Sequence, residues 1–129
     1  MIFLIVCLAL VFSLITFELN NHHWGAVRAS AGVTLLSCFD LYLIHYFYPI
    51  DYEYFLSIIF GASFIGMCSI KRFRYIDIAW ASFIYALLFL NFLPILKGMG
   101  GAMGLTAFIS VTIVHLMKQI YKNIANILR

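Results

Sequence analysis

The sequence predicts an all-α membrane protein, a polytopic bundle of five transmembrane helices with the N-terminus outside and the C-terminus in the cytoplasm. Three observations lead to this prediction. The 129 residues are 65% hydrophobic and 10% charged, whereas soluble domains are about 25% charged. The apolar residues form separate runs, and a run of about 20 residues can cross a bilayer. Seven of the eight Lys and Arg residues fall on one side of a five-span arrangement.

A short polar loop separates the first two spans. The first span is predicted over residues 2–19, and no basic residue precedes its apolar stretch. We therefore expect it to be retained as a span, and not removed as a signal peptide. The loop runs from Asn20 to Trp24. The second span is predicted over 25–50, where Pro49 and Asp51 stop it.

The remaining three spans are predicted over 54–70, 76–96 and 102–117. A basic turn, Lys71–Arg74, links the third span to the fourth, and a glycine-rich connection links the fourth to the fifth. The fifth span is expected to continue through residues 118–129 as an amphipathic helix, with isoleucines on one face and cations on the other, which predicts contact with anionic lipid. A frayed tail and a partner-binding face are the alternatives.

The distribution of cations sets the orientation, because cytoplasmic loops are enriched in Lys and Arg. Only Lys97 falls on the opposite, external side. The cations on the cytoplasmic side are Arg28, Lys71, Arg72, Arg74, Lys118, Lys122 and Arg129. A bias this strong argues against a protein that inserts in both orientations. Size and charge bias together suggest the bacterial inner membrane.

Composition also argues against several classes of function. The net charge of +3 comes from residues that flank spans and form no basic stripe, so no nucleic-acid partner is expected. Cys7, Cys38 and Cys68 lie in different apolar runs without a CxxC pair, so we expect neither a disulfide nor a metal site. No cofactor motif is present.

Asp40 is the most informative single residue. It lies about 22 Å into the second span at 1.5 Å per residue, and a carboxylate at that depth is costly unless it is protonated, paired or hydrated. An acid inside the membrane predicts a proton or cation path. The alternative is a protonated side chain hydrogen-bonded to a neighbouring span. His45, five residues further on, could extend the path or simply lie in the interfacial belt.

Glycines and other small residues suggest two further roles. Gly100, Gly101 and Gly104 could expose backbone amides to a substrate near the external mouth, or they could form a tight turn. Gly25, Ala29 and Gly32 in the second span, and Ala62 and Gly66 in the third, are spaced for close helix packing.

These features favour a small transport or channel component, ion- or proton-coupled, that acts as a subunit of an oligomer. The alternative is a non-catalytic accessory, assembly or immunity-type protein that binds a larger membrane partner. An intramembrane enzyme ranks third, because no arrangement of acid, base and metal ligands is diagnostic. The lipid bilayer is the expected environment for each of these functions.

Overall fold

The structure is a computed structural model of the chain, and it describes residues 2–96 and 101–127. Those residues contain five α-helices and no β-strand. The helices are α1 (Ile2–Leu19), α2 (Ala26–Phe47), α3 (Tyr52–Gly66), α4 (Tyr75–Leu96) and α5 (Ala102–Ile127). The prediction of an all-helical fold is therefore confirmed.

Four of the helices are long and apolar enough to cross a membrane. Their backbone hydrogen bonds are made within each helix, which is what a bilayer requires of a spanning segment. The remaining helix, α3, is apolar but has only 15 residues, or about 22 Å of helix at 1.5 Å per residue. The chain thus has the helices of a membrane protein, with α3 shorter than the rest.

The connection between α1 and α2 is more ordered than the polar loop that the sequence predicts. Residues Asn20–Trp24 continue α1 as a π-helical turn that breaks at His22 and His23. His23 has a φ of 68° and Gly25 a φ of 79°. Gly25 combines this φ with a ψ of 148°, a conformation that only glycine adopts without strain. Gly25 is therefore required by the turn that starts α2.

Two helix ends differ most from the bounds of the predicted spans. The third helix ends at Gly66 and not near residue 70, because the chain tightens there, with the Met67 and Cys68 amides donating to the Phe64 and Ile65 carbonyls at 3.2 and 3.3 Å. The fifth helix runs without a break from Ala102 to Ile127. Residues 118–127 are therefore the last turns of α5, and residues 128–129 lie outside the described part of the chain.

The shortest helix occupies the middle of the bundle. α3 packs against all four of the other helices, and most closely against α1. The core around it consists of large apolar side chains and alanines, among them Ile5, Ala9, Phe17, Ile58, Ala62, Ile65, Ile78, Tyr85 and Phe89. Because lipid is as apolar as these side chains, close packing holds the helices together more than removal from water does.

Candidate functional site

Asp40 lies on the outer surface of the bundle. Its side chain is exposed, and no hydrogen bond joins it to another side chain or carbonyl within residues 2–96 and 101–127. The exposed side chains one turn away on the same face are Leu36, Leu43 and Ile44. The carboxyl group thus faces what surrounds the bundle, and not its interior.

The C-terminal half of α2 has little packing inside the chain. The buried residues of α2 are Ala29, Ser30, Val33 and Ser37. Beyond Ser37 no residue of the helix is buried, and Phe39, Tyr42 and Phe47 are each more than half exposed. About ten residues of apolar helix, with Asp40 among them, are therefore left for lipid or for another protein.

A hydrogen bond between α2 and α3 fixes the position of Asp40 along the axis of α2 relative to α3. The Ser30 and Ser63 hydroxyls lie 2.8 Å apart across these antiparallel helices. Ten residues beyond Ser30 is Asp40, and ten residues before Ser63 is Glu53, so each acid is about 15 Å from the bond. Asp40 is therefore level with the first turn of α3, and the last two turns of α2 extend past the end of α3.

His45 is held by the turn that follows α2. Its Nδ1 atom is 2.8 Å from the Ile50 carbonyl oxygen, and its ring centroid is 5.0 Å from that of Tyr52. These contacts close the connection between α2 and α3. The structure gives His45 local partners and does not bring it into contact with Asp40.

The glycine-rich segment is described only from Gly101 onward, so Gly100 lies outside the described residues. Gly101 has a φ of 87° just before the first residue of α5. Gly104 is within α5, where a Cβ would only reach Phe64 at 3.9 Å. Gly101 thus belongs to a turn, and Gly104 to a helix face with ordinary room beside it.

The residues predicted to form packing faces divide into two groups. Ala29, Ala62 and Gly66 lie in helix contacts, and a Cβ on Gly66 would come within 2.5 Å of the Ser13 carbonyl oxygen of α1. Gly25 has open space around it, and Gly32 lies under the edge of Trp24 at an ordinary 3.7 Å. The small residues at the start of α2 therefore form a turn and a site for an aromatic ring, whereas those in α3 allow two backbones to approach closely.

Pairs of buried hydroxyls, which the sequence analysis did not single out, join the helices of the core. Ser13 of α1 and Ser82 of α4 lie 2.5 Å apart, and Ser30 and Ser63 form the equivalent pair between α2 and α3. Each of Ser13, Ser63 and Ser82 also lies within hydrogen-bond distance of a carbonyl of its own helix. Serines within apolar runs are the sequence feature that indicates such bonds. The sequence alone does not show which serine bonds to which.

The buried polar side chains of the described residues make hydrogen bonds within the bundle. Among the side chains that the structure describes, every buried polar atom has a hydrogen-bond partner. The Tyr85 hydroxyl, for example, donates toward the Ser57 and Ile58 carbonyls of α3. The described part of the chain also contains no group of three or more His, Cys, Asp and Glu side chains that could hold a metal ion.

Charged groups meet at the end of the bundle that carries the Lys71–Arg74 turn, called here the basic end. Lys118 of α5 pairs with Asp77 of α4 at 2.5 Å and donates to the Arg72 carbonyl at 3.0 Å. Asp77 also accepts from the Arg74 amide at 2.9 Å, as a capping residue does at a helix start. This set of bonds ties α5 to the α3–α4 connection.

A second acidic group at the basic end is also bound. Glu18 of α1 accepts a hydrogen bond from the Tyr75 hydroxyl and lies 3.0 Å from His22 Nε2. The Tyr75 ring packs edge-on against Phe17, with centroids 5.2 Å apart. Glu18 thus fastens the end of α1 to the start of α4, and Arg28 has no acidic partner in the described residues.

Comparison with known proteins gives no family to which the chain can be assigned. No protein-family model, curated protein or solved structure matches it.

Proposed function

We propose that this chain is a subunit of a membrane transport or channel assembly, in which a proton or cation path runs between copies of the chain. The observation that carries this proposal is the position of Asp40. Its carboxyl group is on the outer face of α2, while the buried polar side chains of the described residues are all paired. A path that uses Asp40 therefore needs a surface from outside this copy.

The energetic cost of Asp40 supports contact with another protein surface. A carboxylate that faces acyl chains costs several kcal/mol unless it is protonated, paired or hydrated. A closed symmetric contact through α2 brings the same residue of each copy toward a common axis. Water or a cation between the copies would then solvate Asp40.

The proposed topology has five crossings, with the N-terminus outside and the C-terminus in the cytoplasm. The Lys71–Arg74 turn, Lys118 and the α1–α2 connection lie at one end of the bundle, as the positive-inside rule requires. α3 is shorter than the hydrocarbon core, which is about 30 Å thick. Its packing against all four of the other helices supports a crossing.

Proton flux into proteoliposomes tests the proposal. Purified protein is reconstituted into liposomes that contain a pH-sensitive dye, and a potassium diffusion potential drives the flux. We expect flux from the native chain and none from Asp40→Asn. Asp51→Asn is the matched control, because it removes an exposed acid from the connection between α2 and α3. Absence of flux from the native chain, or equal flux from Asp40→Asn, would contradict the proposal.

One observation favours a second candidate, an accessory or immunity-type protein bound to a larger membrane partner. The exposed half of α2 is an apolar surface that such a partner could cover. Gentle solubilisation from native membranes distinguishes the two candidates. Recovery with a single larger membrane protein supports the accessory function, whereas recovery of copies of this chain alone supports the transport assembly.

A further inference from the structure

We propose that the basic end carries a binding site for one anionic phospholipid. The phosphate would be bound in a pocket beside α5, and an acyl chain would lie in the groove between α4 and α5. The proposal does not depend on transport, because it uses neither Asp40 nor the outer face of α2.

The first half of the site is a basic pocket. Arg72, His115, Lys118, Gln119 and Lys122 line a cavity of about 450 Å³ at the surface. Its cations come from two separate segments, the α3–α4 connection and the last turns of α5. A pocket of this kind between membrane helices is suited to an anionic lipid headgroup.

Lys118 is fixed in position for such a ligand. Its ammonium group donates to Asp77 and to the Arg72 carbonyl, and it lies 6.0 Å from the centre of the Phe73 ring. An ammonium group has three N–H donors. Two of them are used by these bonds, so one remains for a phosphate oxygen.

The charge of the basic end is not balanced by the acids of the chain. The sequence has five acidic residues, of which Glu18 and Asp77 lie at this end. Asp77 is bound to Lys118, and Glu18 to His22 and Tyr75. Within the described residues no acidic side chain pairs with Arg72 or Lys122, so an anion from outside the chain would complete the pocket.

The second half of the site is an apolar groove of about 470 Å³ that shares Lys118 with the pocket. Its apolar walls come from α4 and α5 and consist of Trp80, Phe83, Ile84, Val114, Met117 and Tyr121. Trp80, Met117 and Tyr121 are each more than half exposed. Trp and Tyr rings near cations are typical of headgroup depth, so the groove continues from the pocket toward the acyl region.

The joined pocket and groove favour a lipid over a soluble anion. A free phosphate would use only the basic pocket and leave the aromatic groove unfilled. A zwitterionic lipid would fill the groove but would bring no net charge to the cations. An anionic glycerophospholipid satisfies both halves.

Native mass spectrometry in detergent, with added lipid, tests the site. We expect phosphatidylglycerol to remain bound, and phosphatidylcholine, glycerophosphoglycerol and inorganic phosphate to bind far more weakly. The variant Arg72→Gln with Lys122→Gln should weaken phosphatidylglycerol binding about 30-fold, since a cation near an anionic headgroup contributes about 1 kcal/mol.

Arg28→Gln with Lys71→Gln is the matched control. It also removes two cations from the basic end, but neither lines the pocket, so binding should fall clearly less than in the pocket variant. The proposal would be overturned if phosphatidylcholine or glycerophosphoglycerol bound as tightly as phosphatidylglycerol. Equal losses of phosphatidylglycerol binding in the two double variants would also overturn it.

Discussion

The hydroxyl group of Tyr85 occupies the space where a side chain at position 61 would lie. Gly61 of α3 faces Tyr85 of α4, and a Cβ built on Gly61 would overlap the ring as well as the hydroxyl. Tyr85 is among the largest side chains with no exposed surface. The pair allows the bulkiest polar ring of the core to lie against the backbone of the central helix.

Gly61→Ala should lower the free energy of unfolding by about 1–3 kcal/mol, because an added methyl group in a filled core forces side chains from their preferred positions. Gly104→Ala is the control, since its Cβ would make only an ordinary contact. It should leave stability unchanged or raise it through helix propensity. Unfolding in mixed micelles measures both, and equal effects would contradict the Gly61–Tyr85 relationship.

Gly25→Ala should also be destabilising, by about 1–3 kcal/mol, but through backbone strain. Nothing lies within 4 Å of the added Cβ, and the φ is 79°. Gly32, within α2, has ordinary room and no positive φ, so Gly32→Ala should leave stability unchanged or raise it through helix propensity. An unchanged free energy of unfolding in Gly25→Ala would contradict the positive φ of Gly25 in the turn between α1 and α2.

A double-mutant cycle should detect the bond between Ser30 and Ser63. The coupling free energy expected from Ser30→Ala and Ser63→Ala is about 0.6 kcal/mol, the average for hydrogen bonds between membrane helices. Ser57→Ala replaces Ser63→Ala in the control cycle, because the Ser57 hydroxyl bonds only to the Glu53 carbonyl of its own helix. That control should show no coupling with Ser30.

Cross-linking should show that α2 meets α2 in the proposed assembly. Leu36 and Leu35 are 69% and 71% exposed, but only Leu36 lies on the Asp40 face, since the two point about 100° apart on the helix. In a chain with Cys7, Cys38 and Cys68 replaced by Ala, Leu36→Cys should form disulfide-linked dimers under oxidation, and Leu35→Cys far fewer. Equal yields would indicate random collision.

The reactivity of Cys68 should depend steeply on pH. Partial burial beyond the end of α3 raises the pKa of the Cys68 thiol to about 11. Because the thiolate is the reactive form, a chain with Cys68 as its only cysteine should react with maleimide roughly 100-fold more slowly at pH 8 than a thiol of ordinary pKa. Its rate should keep rising up to about pH 11. A rate that levels off near pH 9 would contradict the burial of this thiol.

The sequence by itself was sufficient to predict helices and their approximate bounds. Apolar runs flanked by Pro49, by the Lys71–Arg74 turn and by glycines are local signals, and local signals set where a helix starts and stops. The membrane character of the chain follows from composition, which needs no knowledge of contacts. Even so, α3 ends at Gly66 because of a turn, and the apolar run that continues to Ile70 does not reveal that turn.

Only the tertiary structure decided which face of each helix meets another. In α1 and α4 apolar residues cover the whole circumference, so no periodic pattern distinguishes a core face from a lipid face. The depth of Asp40 in its span is therefore readable from the sequence, but its outward direction is not. Nor does the sequence single out Gly61 or the paired serines, because their roles exist only when α3 lies against its neighbours. In a bilayer both sides of such a helix are equally apolar. The face that packs in the core is therefore set by how well the surfaces of two helices fit together, which the sequence of one helix does not encode.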